Sequence, residues 1–202
     1  DFRMQMLAQP FRKIDAVLLT HIHYDHVGGI DDLRPFCRFG DINIYSNTDV
    51  VKGLKHNMPY CFPEKGDLYP GVPRLILHEI KPHVGFSIGD IEVMPIMVMH
   101  DKLPILGYRI GKLAYITDMK NIEEKEFEYL SGISVLVINA LRWKREHHSH
   151  QLVDDAISFA RKLGVKRVFL IHMTHEIGLH AKANLLLPSG IQFGFDGETI
   201  IV

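Results

Sequence analysis

The sequence predicts a layered α/β sandwich, because strand-like and helix-like segments alternate along a chain that is long enough for one sizeable core. The chain has 202 residues, of which 47% are hydrophobic, and this is typical of a globular domain. Short apolar runs indicate strands, and stretches rich in glycine and proline separate them. Strand runs with interleaved helices fit covered sheets better than one doubly wound sheet. We therefore expect a single domain over residues 1–202.

The first part of the chain alternates strands and helices before a long loop. In order, it predicts a strand over 14–20, a helix over 27–36 that stops near Pro35, a strand over Ile42–Ser46, a helix over Thr48–Asn57 and a loop over 58–73. The first strand is a continuous apolar run, as expected when both faces are buried. The loop is predicted from its four prolines and two glycines.

The second part of the chain is richer in strands. Strands are predicted over 74–80, 85–88, 91–99, 105–110, 112–117, 133–139 and 166–171, and helices over 121–130 and 151–163. Asn121, with Glu124 three residues later, resembles a capping box at the start of the first of these helices. A final hairpin is predicted from 190–195 and 199–202, with its turn at Asp196-Gly197.

A cluster of metal-type ligands directly follows the first predicted strand. His21 and His23 are two residues apart, so on an extended backbone both rings project to the same face. Asp25 and His26 fall in the turn that follows. Imidazole nitrogens and carboxylate oxygens are the ligands that zinc, manganese and iron accept in catalytic sites. The stretch is therefore interpreted as half of a two-metal site.

Three later residues share one placement, a metal-type ligand at the end of an apolar strand. They are His100 after 94–99, Asp118 after 113–117 and His172 after 168–171. Each could be a satisfied polar residue when taken alone. Because several strand ends of one sheet can converge on a single cleft, all three are interpreted as ligands together with the first cluster.

Charge and cysteine content exclude several classes of protein. The net charge of −1 gives no field suited to non-specific nucleic-acid binding, and no apolar run is long enough to cross a bilayer. Cys37 and Cys61 lack the spacing of a disulfide framework or a thiolate metal site, which favours reduced thiols in a cytoplasmic protein. The chain begins without methionine, and we expect the natural protein to be longer.

The order Thr-His-x-His-x-Asp-His, followed by a histidine, an aspartate and a last histidine after successive strands, resembles the metallo-β-lactamase superfamily. The resemblance implies a four-layer αββα sandwich, with the family's N-terminal strands missing from this chain, and a site for two divalent ions, Zn²⁺ or Mn²⁺. It implies that one ion is held by His21, His23 and His100, the other by Asp25, His26 and His172, and that Asp118 bridges the two.

Residues 99–110, 114–118, 148–150 and 170–175 resemble the PhnP phosphodiesterase branch of that superfamily, which is related to the tRNA 3′-processing endonucleases. The resemblance implies hydrolysis of a small cyclic phosphodiester of the phosphoribosyl type, with a hydroxide shared by the two ions as nucleophile. The branch's cysteine-rich structural zinc site has no counterpart among the two cysteines, so its substrate does not simply transfer.

Catalysis is expected to depend on Asp25, His150 and His148. His150 matches the family's additional active-site histidine, and both histidines precede the helix predicted over 151–163, where free backbone N–H groups favour an anion. Ser149 could cap that helix. A histidine can hold or release a proton near neutral pH, as a general acid requires.

Alternative functions stay open at this point. A tRNA 3′-processing endoribonuclease would need a basic arm, whereas the charges of the short insert over 52–74 are balanced. A non-catalytic accessory protein on the same fold is another alternative, as is hydrolysis of a thioester or lactam. The expected partner is a small phosphodiester, with no membrane and a possible homodimer through an unpaired sheet edge, while nucleic acid stays open as a less favoured partner.

Overall fold

The computed structural model describes residues 1–63 and 67–202, and it divides the chain into two compact units, Asp1–Lys81 and Pro82–Val202. Each unit contains its own β-sheet and its own hydrophobic core. Among the described residues, none of the helices combines the length and the apolar character that crossing a membrane requires. Residues 64–66 of the loop predicted over 58–73 lie outside the described part of the chain.

The first unit contains a three-stranded parallel sheet in the order β1-β2-β3. Its elements are α1 (Phe2–Leu7), β1 (Ala16–Leu18), α2 (Tyr24–Val27), a 3-10 helix (Ile30–Phe39), β2 (Ile42–Ser46), α3 (Thr48–Asn57), a 3-10 helix (Pro59–Cys61) and β3 (Leu75–Glu79). The bounds predicted for β2 and α3 are confirmed, because alternating burial defines β2 and the Asn47 side chain, which accepts a hydrogen bond from the N–H of Val50 at 3.0 Å, starts α3.

The helix predicted over 27–36 differs from the structure in type and in length. The chain forms a 3-10 helix that continues past Pro35 to Phe39. Pro35 has no N–H group, and inside an α-helix its ring would clash with the carbonyl four residues earlier, so the chain uses the tighter i to i+3 pattern instead. The helix ends at Gly40, whose φ of 125° suits a residue without a Cβ.

The second unit contains a seven-stranded sheet in the order β10-β9-β8-β7-β6-β5-β4. Its elements are β4 (Phe86–Ile88), β5 (Ile91–His100), β6 (Leu103–Ile110), β7 (Leu113–Ile116), a 3-10 helix (Glu124–Glu128), β8 (Val135–Asn139), α4 (Val153–Leu163), β9 (Arg167–Ile171), a 3-10 helix (His175–Ile177), α5 (His180–Asn184) and β10 (Ile191–Phe193). Every pairing from β4 to β7 is antiparallel, and every pairing from β7 to β10 is parallel.

This topology brings the carboxyl ends of four strands to one edge of the sheet. β7, β8 and β9 run parallel to one another, and β5 runs in the same direction because it is separated from β7 by one antiparallel strand. His100 ends β5, Asp118 lies just beyond β7 and His172 follows β9 directly. The sheet therefore places all three residues at the same edge.

The predicted helix over 121–130 and its capping box are wrong. Only Glu124–Glu128 is helical, in 3-10 form. The backbone of Asn121 pairs with that of Met99 instead, since the N–H of Met99 donates to the carbonyl of Asn121 at 2.8 Å. A residue held at a strand in this way is not available to start a helix.

The predicted C-terminal hairpin is also wrong. β10 pairs in parallel with β9, and residues 199–202 form no strand. The Asn184 side chain accepts a hydrogen bond from the N–H of Phe193 at 2.8 Å, so β10 is held by α5 on one side. β10 thus pairs with β9, which reaches it through the crossover that contains α5, and not with the residues after the Asp196-Gly197 turn.

Candidate active site

In the first unit, the chain leaves the sheet just before the first histidine. The N–H of Leu19 still donates to the carbonyl of Tyr45 at 3.0 Å, and the hydroxyl of Ser46 donates to the carbonyl of Leu19 at 2.8 Å. These bonds hold the backbone beside β2 up to that point. Thr20 and His21 follow at once and are 5% and 2% exposed. His21 is therefore fixed at the end of the strand.

The ring nitrogens of His21 and His23 face each other. Nε2 of His21 lies 3.0 Å from Nδ1 of His23, and Nδ1 of His21 lies 3.0 Å from the hydroxyl of Thr20. Two nitrogens bound to one tetrahedral zinc at about 2.0–2.1 Å would lie about 3.3 Å apart. The pair is therefore close to the spacing that a shared ion requires.

Asp25 and His26 lie on the short helix α2, immediately after this pair. Oδ2 of Asp25 is 3.3 Å from Nε2 of His26, and the rings of His26 and His21 are 4.2 Å apart between centroids. The Asp25 side chain is 65% exposed, whereas that of His26 is 16% exposed. The first unit thus gathers all four ligands that the sequence predicted in it.

In the second unit, the backbone sets the tautomer of His100. Its Nδ1 lies 2.9 Å from the carbonyl oxygen of Asp118 and 3.0 Å from that of Ser149. Because a carbonyl oxygen only accepts hydrogen bonds, Nδ1 carries the proton and the lone pair is on Nε2. Burial, followed by the nearby His150, lowers the pKa of His100. A neutral imidazole with a defined lone pair is the form that binds a metal ion.

The carboxylate of Asp118 lies at the centre of the second cluster and is 2% exposed. Its Oδ1 accepts a hydrogen bond from the Thr117 hydroxyl at 2.6 Å and lies 3.2 Å from Nε2 of His172. Its Oδ2 lies 3.3 Å from Nε2 of His150. Asp118 and His172 both have a φ of 54°, in the left-handed region that non-glycine residues rarely adopt. Such strain is typical of functional positions.

Asn139 holds the backbone that follows Asp118, a role that sequence reasoning missed. Its side chain donates to the carbonyl of Met119 at 3.0 Å and accepts from the N–H of Met119 at 2.9 Å. Gln151 adds a bond from its side chain to the carbonyl of Asn139 at 2.8 Å. Asn139 is fully buried at the end of β8, so a polar residue directly after an apolar run was the available signal.

His150 joins the second cluster through its ring. It stacks on His172 at 4.9 Å between centroids and meets His100 edge-on at 4.7 Å. His100, Asp118 and His150 each offer one ligand atom, and these atoms lie within 4.8 Å of one another. The ring of His148 is exposed and lies against that of His147, with 4.4 Å between centroids. The structure thus places His150 among the predicted ligands, and His148 at the periphery.

The expectation of free N–H groups near His150 is wrong. Helix α4 begins at Val153, and its N-cap is Leu152 and not Ser149. The N–H groups of Gln151 and Val153 donate to the carbonyls of Met119 and Arg142, and that of Leu152 donates to the Asp155 side chain at 2.9 Å. These bonds satisfy the three N–H groups that directly follow His150.

One family model matches residues 1–173, and it describes a β-lactamase superfamily domain. An octanoyltransferase of Porphyromonas gingivalis is 42% identical over 202 residues, which are 100% of this chain and 41% of that protein. The chain therefore spans less than half of this curated relative.

Two solved structures are also similar. A diphosphatase of the PhnP family is 33% identical with a TM-score of 0.88, and the match covers 100% of this chain and 77% of that one. The short form of human tRNase Z is 16% identical with a TM-score of 0.72, covering 96% of this chain and 79% of that one. The second likeness shows the fold alone.

Proposed function

Because this chain belongs to the β-lactamase superfamily and, within it, to the PhnP family, we propose that it cleaves a small phosphodiester, with a cyclic phosphate of the phosphoribosyl type as the substrate. Membership and the similar structures confirm the expected metallo-β-lactamase fold. The chain is accordingly a hydrolase of a metal-dependent superfamily. The substrate class is the part that we propose, and it rests on the position of His150.

The donor groups of both units fit divalent ions. The ligand set that we propose is the one implied by sequence, namely His21, His23 and His100 for one ion, Asp25, His26 and His172 for the other, and Asp118 for both. The His21–His23 spacing and the defined lone pair of His100 support this set. Bound Zn²⁺ or Mn²⁺ would lower the pKa of water and polarise the phosphoryl oxygens.

Besides metal ions, hydrolysis of a phosphate ester needs a proton donor for the leaving group, and His150 is the residue that we assign to this role. Cleavage of a P–O bond leaves an alkoxide, which must be protonated. Nε2 of His150 lies 3.3 Å from Oδ2 of Asp118, among the side chains that we assign to metal binding. A proton on Nε2 is therefore held at the cluster, where a leaving oxygen would form. A carbonyl substrate with a thiol leaving group has less need of such an acid.

Nuclease activity receives less support. The likeness to human tRNase Z is 16% in identity and reports the shared fold. Phosphate contacts dominate nucleic-acid affinity, and the net charge of this chain is −1. We therefore propose a small molecule as the partner. Cys37 and Cys61 are both free and buried, which supports the cytoplasmic location that we propose.

Acyl hydrolysis is a second candidate, favoured by one observation. The Porphyromonas gingivalis relative is named an octanoyltransferase, and this chain is 42% identical to 41% of it. The name describes the whole relative, of which the matched segment is the smaller part. Bound ions that would polarise a phosphoryl oxygen would also polarise a carbonyl oxygen, so an octanoyl ester is the relevant competing substrate.

The test uses metal-stripped protein that is reloaded with zinc or manganese. It is assayed on bis(4-nitrophenyl) phosphate, on a ribose cyclic phosphate and on 4-nitrophenyl octanoate. We expect metal-dependent turnover of both phosphodiesters, abolished in Asp25→Ala and retained in His56→Ala, an exposed histidine outside both clusters. Turnover of the octanoate ester alone would refute the phosphodiester proposal and support the acyl alternative.

A further inference from the structure

We propose that His147 is a positioning residue, which accepts the Nδ1 proton of His150 and so fixes the proton that His150 delivers on Nε2. The inference rests on the proposed function, in which His150 protonates the leaving oxygen. His147 lies three residues before His150, on the segment that leads from β8 to α4. Sequence reasoning gave it no role.

The hydrogen-bond pattern determines which nitrogen of His147 is unprotonated. The N–H of Ser149 points to Nδ1 of His147 at 3.4 Å. A backbone N–H only donates, so Nδ1 of His147 carries the lone pair. Nδ1 of His150 lies 3.1 Å from that same nitrogen. Because one of two facing nitrogens must supply the proton, His150 is the donor of this bond.

The hydroxyl of Ser149 leads to the same assignment. It lies 3.1 Å from Nδ1 of His150 and 3.3 Å from Nδ1 of His147. It can therefore accept from His150 and donate to His147, as an alternative to the direct contact. Both routes end at the lone pair of His147, so the proton on Nδ1 of His150 is held in either case.

The surrounding loop keeps His147 in place. The guanidinium of Arg142, which is 9% exposed, donates to the carbonyl of Arg145 at 2.8 Å and to that of Glu146 at 3.2 Å. These bonds hold the turn immediately before His147. Burial, followed by the neighbouring His150 and His148, lowers the pKa of His147. The lowered pKa favours the neutral form of His147, which is the form that can accept a hydrogen bond.

The consequence for catalysis concerns Nε2 of His150. With Nδ1 bonded to a proton, a second proton can reside only on Nε2, which faces Asp118 at 3.3 Å. In the proposed step, the Nε2–H bond breaks, its electron pair stays on Nε2, and a new O–H bond forms on the leaving oxygen. His150 is then neutral with its proton on Nδ1, and solvent returns a proton to Nε2.

The kinetic test compares two leaving groups on the metal-loaded protein. Methyl phenyl phosphate has a poor leaving group that needs protonation, and methyl 4-nitrophenyl phosphate has a good one that does not. We expect His147→Ala to lower kcat about tenfold or more on the phenyl ester and less than about threefold on the nitrophenyl ester, because general acid catalysis contributes about 10²–10⁴. His147→Asn, whose amide oxygen can take the place of Nδ1, should restore most of the loss.

A spectroscopic test is independent of turnover. Nitrogen-15 NMR of the metal-free and zinc-loaded protein reports which nitrogen of His150 carries the proton. We expect the Nδ1–H form in wild type and in His56→Ala, and a mixture of tautomers in His147→Ala. Finding the Nε2–H tautomer in neutral wild-type His150 would overturn the inference.

The two proposals fail in different ways. Equal losses of kcat on both esters in His147→Ala would mean a structural role and would overturn the positioning role. If wild type cleaves no phosphodiester at all, the proposed function has failed, and the NMR tautomer still decides whether His147 sets the proton of His150.

Discussion

The hydroxyl of Thr117 donates a 2.6 Å hydrogen bond to Oδ1 of the very next residue, Asp118. The first unit repeats this relationship, since the hydroxyl of Thr20 lies 3.0 Å from Nδ1 of His21. In each case a buried threonine just past a strand contacts the ligand candidate that follows it. The two threonines therefore limit the rotation of the side chains that we assign to metal binding.

Removing the Thr117 hydroxyl should weaken metal binding without disrupting the fold. Thr117→Val keeps the size of the side chain but loses the bond to Asp118, and partners of this kind affect metal affinity by about 10–100-fold. We expect zinc affinity, measured by calorimetry, to fall by about that factor. Thr117→Ser keeps a hydroxyl and serves as the matched control. Equal affinities in the valine and serine variants would contradict this role.

The bonds of Asn139 to Met119 should matter for both stability and metal binding. Asn139→Ala leaves the buried N–H of Met119 without its partner, at a cost of about 1–3 kcal/mol, and leaves the carbonyl of Met119 with only the bond from the N–H of Gln151. We expect lower unfolding free energy in urea and weaker zinc binding, because the loop that carries Asp118 is released.

Glu126→Gln separates these two effects. Glu126 is 1% exposed and lies on the 3-10 helix Glu124–Glu128, where its carboxylate accepts from the N–H of Met97 at 3.0 Å. Its replacement should lower stability but leave the zinc affinity unchanged. An Asn139→Ala protein that is destabilised yet binds zinc as well as wild type would show that the bonds of Asn139 to Met119 do not contribute to metal binding.

The pair formed by His83 and Glu126 should be coupled in stability. Nε2 of His83 lies 2.8 Å from both carboxylate oxygens, and its ring stacks on Tyr129. Removing one partner of a buried pair leaves the other uncompensated. A double-mutant cycle with His83→Ala and Glu126→Gln, followed by urea unfolding, should give a coupling of about 0.5–3 kcal/mol. The cycle also cancels any effect of the left-handed backbone at His83. Additive losses would exclude an interaction.

Stability should fall at alkaline pH because of Cys61. Burial, followed by the carboxylate of Asp31, raises the pKa of this thiol from 9.0 to about 11. The folded state therefore holds the proton more tightly than the unfolded state, and this contribution is complete below pH 9 and is lost as the pH rises towards about 11. Urea unfolding between these values should show a steeper decline for wild type than for Cys61→Ala. Parallel curves would contradict a raised pKa.

Sequence reasoning located the ligand candidates because strand ends can be recognised from apolar runs. His100, Asp118 and His172 each follow such a run, and the sheet order brings them to one edge. The position of Asn139 after an apolar run was a signal for a polar role, but its partners could not be predicted, because they are backbone groups of a loop that is distant in sequence. His147 was missed for a similar reason, since only the turn held by Arg142 brings its ring to His150.

Secondary structure was predicted wrongly where contacts between distant parts of the chain, and not the local sequence pattern, decide it. Asn121 and Glu124 match a helix start, yet the backbone of Asn121 pairs with Met99 at the end of β5. Asp196-Gly197 matches a hairpin turn, yet residues 199–202 after it form no strand. Pairing with a strand that is distant in sequence decides the first case, and the absence of a second strand decides the other. Local propensity alone therefore predicts neither outcome.

The contribution of His150 can be separated from that of a metal ligand. Its ring is close enough to His100 and Asp118 to offer a third donor to an ion, whereas our proposal makes it a proton donor. We expect His150→Ala to bind as much zinc as wild type, by elemental analysis, while kcat on a phosphodiester with a poor leaving group falls by about 10²–10⁴.

Asp118→Ala provides the contrast, because it removes the carboxylate that we assign to both ions and should lower metal content together with activity. His56→Ala should change neither. If His150→Ala lost metal in the same proportion as Asp118→Ala, His150 would be a ligand and the leaving oxygen would need another proton donor. If His150→Ala keeps its metal but loses turnover, the function of His150 is proton transfer, since its ring then acts on the substrate and not on the ion.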